Sequence, residues 1–176
     1  LSIAVIGPNA AAENLNCFGS SETQPAYAVS LLAGIRAVVP KAAYVQGCAI
    51  SGDDTSGFAA AEAAARAADI VIFAGGLDKT LEGESIIGVQ VQDRTTTALP
   101  AIQQQLIRRL HAANPHLVVV LQSGGIVSLA DCITDIPALV YSFYSGQEAG
   151  NGIADVLFGA VNPAGRLPMT MPVSDE

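Results

Sequence analysis

Short continuous apolar runs alternate along the chain with longer stretches in which apolar residues recur every three or four positions. Five runs, largely β-branched or aliphatic, stand out: Ile3 to Ile6, Ala43 to Val45, Ile70 to Ala74, Leu117 to Leu121 and Ala138 to Phe143. Unbroken apolar character of this kind suits strands covered on both faces. Between the runs, the spacing predicts helices over Tyr27 to Val38, Ala59 to Ala67, Ile102 to Ala112 and Glu148 to Phe158. Gly159 stands where a left-handed residue would end the last helix, with Pro163 just beyond. This alternation predicts an α/β fold, with a mostly parallel sheet and helices on both faces. The stretch from Leu77 to Thr97 has no helical period, and so long a loop in a compact α/β domain tends to be functional or disordered. The tail from Val161 to Pro172, holding Pro163, Pro168 and Pro172, reads as an extended exit segment.

Composition narrows the choice of function. A chain of 176 residues fits one domain, taken as residues 1–176, and 51% hydrophobic against 14% charged residues leaves ample material for a core. Sixteen acidic against eight basic residues give a net charge of -8 with no basic stripe, which argues against nucleic acid or an anionic membrane as partner. No apolar run approaches the roughly 20 residues that span a bilayer. The chain opens on Leu1 with no charged leader and reads as an internal piece of a longer protein. Cys17, Cys48 and Cys132 are too few and too scattered for a zinc site or a disulfide framework, leaving room for one disulfide at most. No Asn-x-Ser/Thr acceptor occurs.

Ligands of open parallel sheets gather at the carboxyl ends of the strands, which directs attention to the loops after Ala74, Leu121 and Phe143. Ordinary motifs fail there. Gly7-Pro8-Asn9-Ala10 after the first run is no dinucleotide fingerprint, since Pro removes an amide that a phosphate would use. Ser123 in Gln-Ser-Gly-Gly lacks the Gly-x-Ser-x-Gly elbow, and the two histidines, His111 and His116, read as capping or solvated groups. Glu82 and Glu84 follow a buried strand in a Gly-containing loop, where a carboxyl group can serve as proton donor. Spacing alone equally allows a solvated acidic loop.

A wider set of residues resembles a known family. The opening Ile3-Ala4-Val5-Ile6-Gly7-Pro8-Asn9-Ala10, the loop Gly76-Leu77-Asp78-Lys79-Thr80-Leu81-Glu82-Gly83-Glu84, the pair Asp93-Arg94 with Leu99, Pro100 and Gln103, and Val118 to Leu121 with Ser123-Gly124 resemble glycoside hydrolase family 3. Gly146-Gln147-Glu148-Ala149-Gly150-Asn151 through Gly159, then Asn162-Pro163-Ala164-Gly165-Arg166-Leu167-Pro168, resembles that family's C-terminal second domain. The resemblance implies a six-stranded, three-layer α/β sandwich that supplies the acid/base Glu to a site completed by a preceding barrel domain, itself the source of the nucleophilic Asp. Glu82 is then the leading acid/base candidate and Glu84 the alternative, the run Ser85 to Gln92 being longer than the usual link to Asp-Arg. Asp93 and Arg94 are expected to pair with each other and fix the loop, Glu148 to stabilise a helix N-terminus, and Arg166 to anchor the exit segment.

The function implied is that of a retaining exo-acting β-glucosidase or β-xylosidase, secreted, acting on terminal β-linked sugars of oligosaccharides or on aryl and alkyl β-glycosides, with no cofactor and no metal. Without the barrel, the isolated chain is expected to be inactive. The alternative is a noncatalytic carbohydrate-binding or interaction domain of the same fold.

Overall fold

The computed structural model describes residues 1–13, 15–17, 19, 22–83 and 93–175. Five parallel strands form one sheet: β1 (Ile3–Ile6), β2 (Ala43–Val45), β3 (Ile70–Gly76), β4 (Leu117–Gln122) and β5 (Ala138–Tyr141), in the order β2-β1-β3-β4-β5. All five predicted runs are strands. The helices are α1 (Leu31–Val38), α2 (Phe58–Ala67), α3 (Ala101–Ala113) and α4 (Ala149–Leu157). The sixth strand implied by the family resemblance is not found among the described residues, in keeping with the five apolar runs that the chain carries.

Side chains alternate across the sheet, and this builds two cores. Ala4, Ile6, Val71, Phe73, Val119 and Leu121 face α2 and α3, where they meet Phe58, Ala61, Leu106 and Leu110. Ile3, Val5, Ile72, Ala74 and Val120 point the other way, onto Leu31, Leu32 and Ile35 of α1 and Ile153 of α4. Each fully buried Leu, Ile, Val or Phe side chain is worth about 1.5–3 kcal/mol relative to exposure. Helices α1 and α4 touch through two glycines: a Cβ on Gly34 would lie 2.0 Å from the Gly150 carbonyl oxygen, and one on Gly150 would lie 2.0 Å from that of Ser30. The second of these glycines belongs to the family-like signature, and backbone contact between helices accounts for it.

Several element ends shift by one or two residues from the sequence expectation, and two fall short of it by two or more. Helix α1 begins at Leu31 rather than Tyr27, since Ser30 caps it through Oγ to the Ala33 N–H at 3.2 Å. The preceding Val29 is held by Gln147 and Gly150 backbone groups. Strand β5 ends at Tyr141 rather than Phe143, where φ is +55° and the chain turns away from the sheet. At the far end of α4, Gly159 adopts φ +77°, as its place beyond the helix requires.

The exit of β3 is fixed from both sides. Gln103 of α3, fully buried, accepts from the Gly76 N–H at 2.9 Å and donates to the Gly76 carbonyl at 2.8 Å and to that of Ile50 at 2.7 Å. Its side-chain amide thus stands in for a neighbouring strand. On the other side, Asn9 fills the crevice where the strand order reverses: its N–H donates to the Ala74 carbonyl at 3.1 Å and its Nδ2 to that of Leu77 at 3.1 Å. Among the described residues, no helix is long and apolar enough to cross a membrane.

Cys48 and Cys132 are buried free thiols. Burial pushes the Cys48 thiol up to about 12 and the Cys132 thiol up to about 11. Unfolded thiols ionise near pH 8.5, roughly, so above that pH the unfolded chain sheds protons that the folded chain keeps, and stability falls. Urea melts at pH about 8 and about 10 should show a falling midpoint, with a shallower fall once both residues are replaced by Ala. Gln103→Leu should preserve packing yet strand the Gly76 N–H. The expected loss is about 1–3 kcal/mol per buried group left unsatisfied, read from the same melts.

Candidate active-site edge

The C-terminal edges of β3, β4 and β5 lie side by side because the strands are parallel neighbours, so the three loops singled out in the sequence converge. After β3, Asp78 organises a tight turn. Its Oδ1 accepts from the Thr80 N–H at 2.9 Å, and its carbonyl accepts from the N–H groups of Leu81 and Glu82 at 3.0 and 2.9 Å. This turn directs Glu82 inward, where it is only 8% exposed.

A carboxylate so placed needs partners, and four donors supply them. Oε2 accepts from the Gly124 N–H and the Tyr144 hydroxyl, each at 2.6 Å. Oε1 accepts from the Gly125 N–H at 3.2 Å and pairs with Arg94 Nη2 at 3.0 Å. Arg94 also donates through Nη1 to the Ile126 carbonyl at 2.7 Å, tying itself to the loop after β4. Burial first, and then the hydrogen bond and charge of Glu82, push the Tyr144 phenol far above its ordinary value, so it stays protonated and acts as the donor.

The Gly124-Gly125 turn is itself fixed from behind. Its Gly125 carbonyl accepts from the hydroxyls of Ser123, at 2.8 Å, and Tyr141, and those two hydroxyls lie 2.7 Å apart. Side chains are unwelcome here: a Cβ on Gly124 would lie 2.3 Å from Cys17 Sγ and 3.2 Å from Glu82 Oε2.

Of the two glutamates picked out by sequence, the structure places Glu82 at the centre of this network, while Glu84 and the run Ser85 to Gln92 lie outside the described residues. Arg94 pairs with Glu82, not with its neighbour Asp93, because the buried carboxylate is where a cation is needed. Glu148 precedes α4 without capping its amides. It takes hydrogen bonds from the Tyr27 hydroxyl and from Asn151 Nδ2, and these hold its carboxyl below the usual range. Among the described residues, Arg166 reaches only the carbonyls of Ala164 and Gly165, at 3.4 Å; there the tail is anchored by Asp175 on Thr96 and Thr97 and by the Ser128 hydroxyl on the Val173 carbonyl.

Ser123 has no histidine beside it. His111 sits in the last turn of α3, 3.5 Å from Asp135, and His116 precedes β4, so both belong to the opposite edge of the sheet. Among the described residues, no three His, Cys, Asp or Glu side chains gather in a way that suits a metal. An apolar groove of about 1300 Å³ along the outer side of β5 includes Tyr141 but none of Glu82, Arg94, Gly124 or Tyr144. Tyr144 and Tyr141 were not singled out by sequence, since no local pattern links Tyr144 to a carboxylate 62 positions away.

The whole chain, residues 1–176, matches the glycosyl hydrolase family 3 C-terminal domain. It belongs to that family. A probable exo-1,4-β-xylosidase, xlnD, of Neosartorya fischeri is 39% identical over 176 residues, covering 99% of this chain and 22% of that protein. A solved GH3 exo-β-xylosidase, XlnD, in complex with a xylobiose aziridine activity-based probe superposes with a TM-score of 0.82 at 36% identity, covering 94% of this chain and 21% of that one. A GH3 β-glucosidase from Bifidobacterium adolescentis gives 0.84 at 32% identity, covering 98% and 25%. This family 3 domain therefore spans about a fifth of the length of the curated relatives that it matches.

Removing one partner of a buried ion pair leaves the other uncompensated. Arg94→Met should therefore cost on the order of 3 kcal/mol in urea unfolding, and the double variant Arg94→Met with Glu82→Gln should recover part of that loss.

Proposed function

We propose that this family 3 domain forms one half of the active site of a retaining exo-acting β-glycosidase, with terminal β-linked xylose as the first substrate to test and β-linked glucose as the second. In this reading a barrel domain outside the chain provides the nucleophilic carboxylate, and this domain provides the acid/base. Support for the xyloside comes from the relatives, among them the exo-1,4-β-xylosidase at 39% identity across the chain. Export from the cell belongs to the same reading and rests on family membership.

The observation that carries the assignment of roles is the environment of Glu82. A retaining enzyme needs two carboxyl groups, one to attack the sugar and one to protonate the departing oxygen and later deprotonate water. The second group must present its proton to the substrate. Glu82 faces inward, and all four of its partners are donors. Its oxygens are already committed to holding three loops together. Glu84 stands two residues further along the same loop and takes the proton-donor role, reversing the order in which the sequence ranks the two. Glu82 becomes the anchor of the loop.

The test uses the complete enzyme. Glu84→Ala should slow alkyl xylosides, whose leaving oxygen needs a proton, by about 10²–10⁴-fold, and activated aryl xylosides much less. Added azide should partly restore turnover by attacking the glycosyl-enzyme without a general base. Glu82→Ala should impair both substrate classes without azide rescue. If the pattern appears for Glu82→Ala instead, the roles are exchanged; if it appears for neither, the acid lies elsewhere. The 176-residue chain alone should turn over no glycoside, and authentic activity from it would refute the two-domain reading.

A further inference from the structure

The tail after α4 is fastened at its two ends. At the start, Gly159 turns the backbone at φ +77° and the Val161 N–H donates to the Asp155 carbonyl at 3.1 Å. At the far end, the Ser128 hydroxyl donates to the Val173 carbonyl at 2.9 Å, and Asp175 accepts from the Thr97 N–H at 2.8 Å and from the hydroxyls of Thr96 and Thr97. Between these points, residues 162–172 make no hydrogen bond to another element among the described residues; the contacts of Arg166 stay within the tail. Pro163, Pro168 and Pro172 carry no N–H at all, so the stretch is poorly made for pairing as a strand.

Its apolar side chains pack instead. Val161, Leu167 and Val173 wall the groove whose other side is Leu139, Val140 and Tyr141 of β5. Strand β5 is the last of the sheet. Since the Ser142 N–H turns toward the Leu121 carbonyl of β4, alternation turns the amides of Leu139 and Tyr141 outward, toward the tail. An open edge of this kind is a template for pairing with another chain, and covering it with a loop is one remedy.

We propose that residues 162–172 are a strap that shields the edge of β5 from other chains and that the Asp175 clip on Thr96 and Thr97 holds shut. The inference does not depend on which glutamate carries the chemistry. The clip is charge-assisted, which strengthens each of its hydrogen bonds. Those bonds, with Arg94 near by, hold the Asp175 carboxyl below the usual range, so it is ionised at neutral pH. With little but apolar contact between its ends, the strap opens as a unit once the clip is lost.

The experiment follows trypsin cleavage of the complete protein after Arg166, an exposed residue within the strap. That cut reports how often the strap is open, and Arg166→Gln, which abolishes it, identifies the product. Asp175→Asn and Thr97→Val should each speed the cut roughly threefold to tenfold, and the double variant no more than the faster single, because both act on one clip. Cleavage after Lys41, in the turn that leads into β2 at the opposite edge of the sheet, should keep its wild-type rate. In sedimentation velocity, both single variants should gain a concentration-dependent larger species that the wild type lacks. Adding Leu139→Lys to Asp175→Asn should abolish that species, since a charge on an edge strand opposes pairing, while the cut stays fast. Wild-type rates in both variants, equal acceleration after Lys41, or additive effects would overturn the clip. Fast cleavage with no larger species, or a larger species that survives Leu139→Lys, would overturn the shielding of β5.

Discussion

A carboxylate withdrawn from water must be given donors, and the C-terminal edge of this domain is arranged around meeting that requirement for Glu82. The donors come from three places that the chain order separates widely: Arg94, the amides of Gly124 and Gly125, and the hydroxyl of Tyr144. Only a sheet in which β3, β4 and β5 are adjacent and parallel brings their exits to one edge. The same requirement explains the small residues beside it, because a side chain on Gly124 would displace Cys17 or the carboxylate. Removing a single donor would leave desolvated charge behind, so the network acts as a unit.

That unit has a rigid footing. Gln103 bonds both backbone groups of Gly76, where β3 gives way to the loop, and Asn9 bonds the carbonyl of Leu77 one residue on. The paired glycines Gly34 and Gly150 let α1 and α4 pack backbone to backbone on one face, while α2 and α3 close the other. A site mounted on strand ends held in this manner is placed more precisely than one on free loops. The hydrophobic layers thereby bear on chemistry several residues away.

The strands were legible because each is covered on both faces, which leaves an unbroken apolar run in the sequence, and the helices because each presents one apolar stripe. Ends fixed by distant partners were less legible. Nothing local in Tyr27 to Val29 says that Gln147 and Gly150 will hold the backbone of Val29 extended ahead of α1, and nothing in Ala138 to Phe143 announces the positive φ that ends β5 early. The convergence of the loops after β3, β4 and β5 was legible from the general behaviour of parallel sheets. The role of Glu82 within them was not, since the residues that define it lie 42 and 62 positions away on β4 and β5 loops. Expecting Arg94 to pair with Asp93 failed for the same reason: proximity along the chain is a poor guide once a buried carboxylate competes for the cation.

Two glutamates in one loop, separated by a single glycine, invite the assumption that they are interchangeable, and the physics of burial argues otherwise. A carboxyl group that satisfies both oxygens inside the protein gives rigidity, and it gives it because no proton or lone pair is left over for a substrate. A carboxyl group that exchanges protons with a glycosidic oxygen must remain open to that oxygen and gain its tuning from the surroundings. With both oxygens of Glu82 engaged, the proposed reading assigns the proton-donor role to the next glutamate in the chain, one glycine further on. On this view the acidic pair is a division of labour between position and chemistry, and Arg94 and Tyr144 bear on the first through their contacts with Glu82.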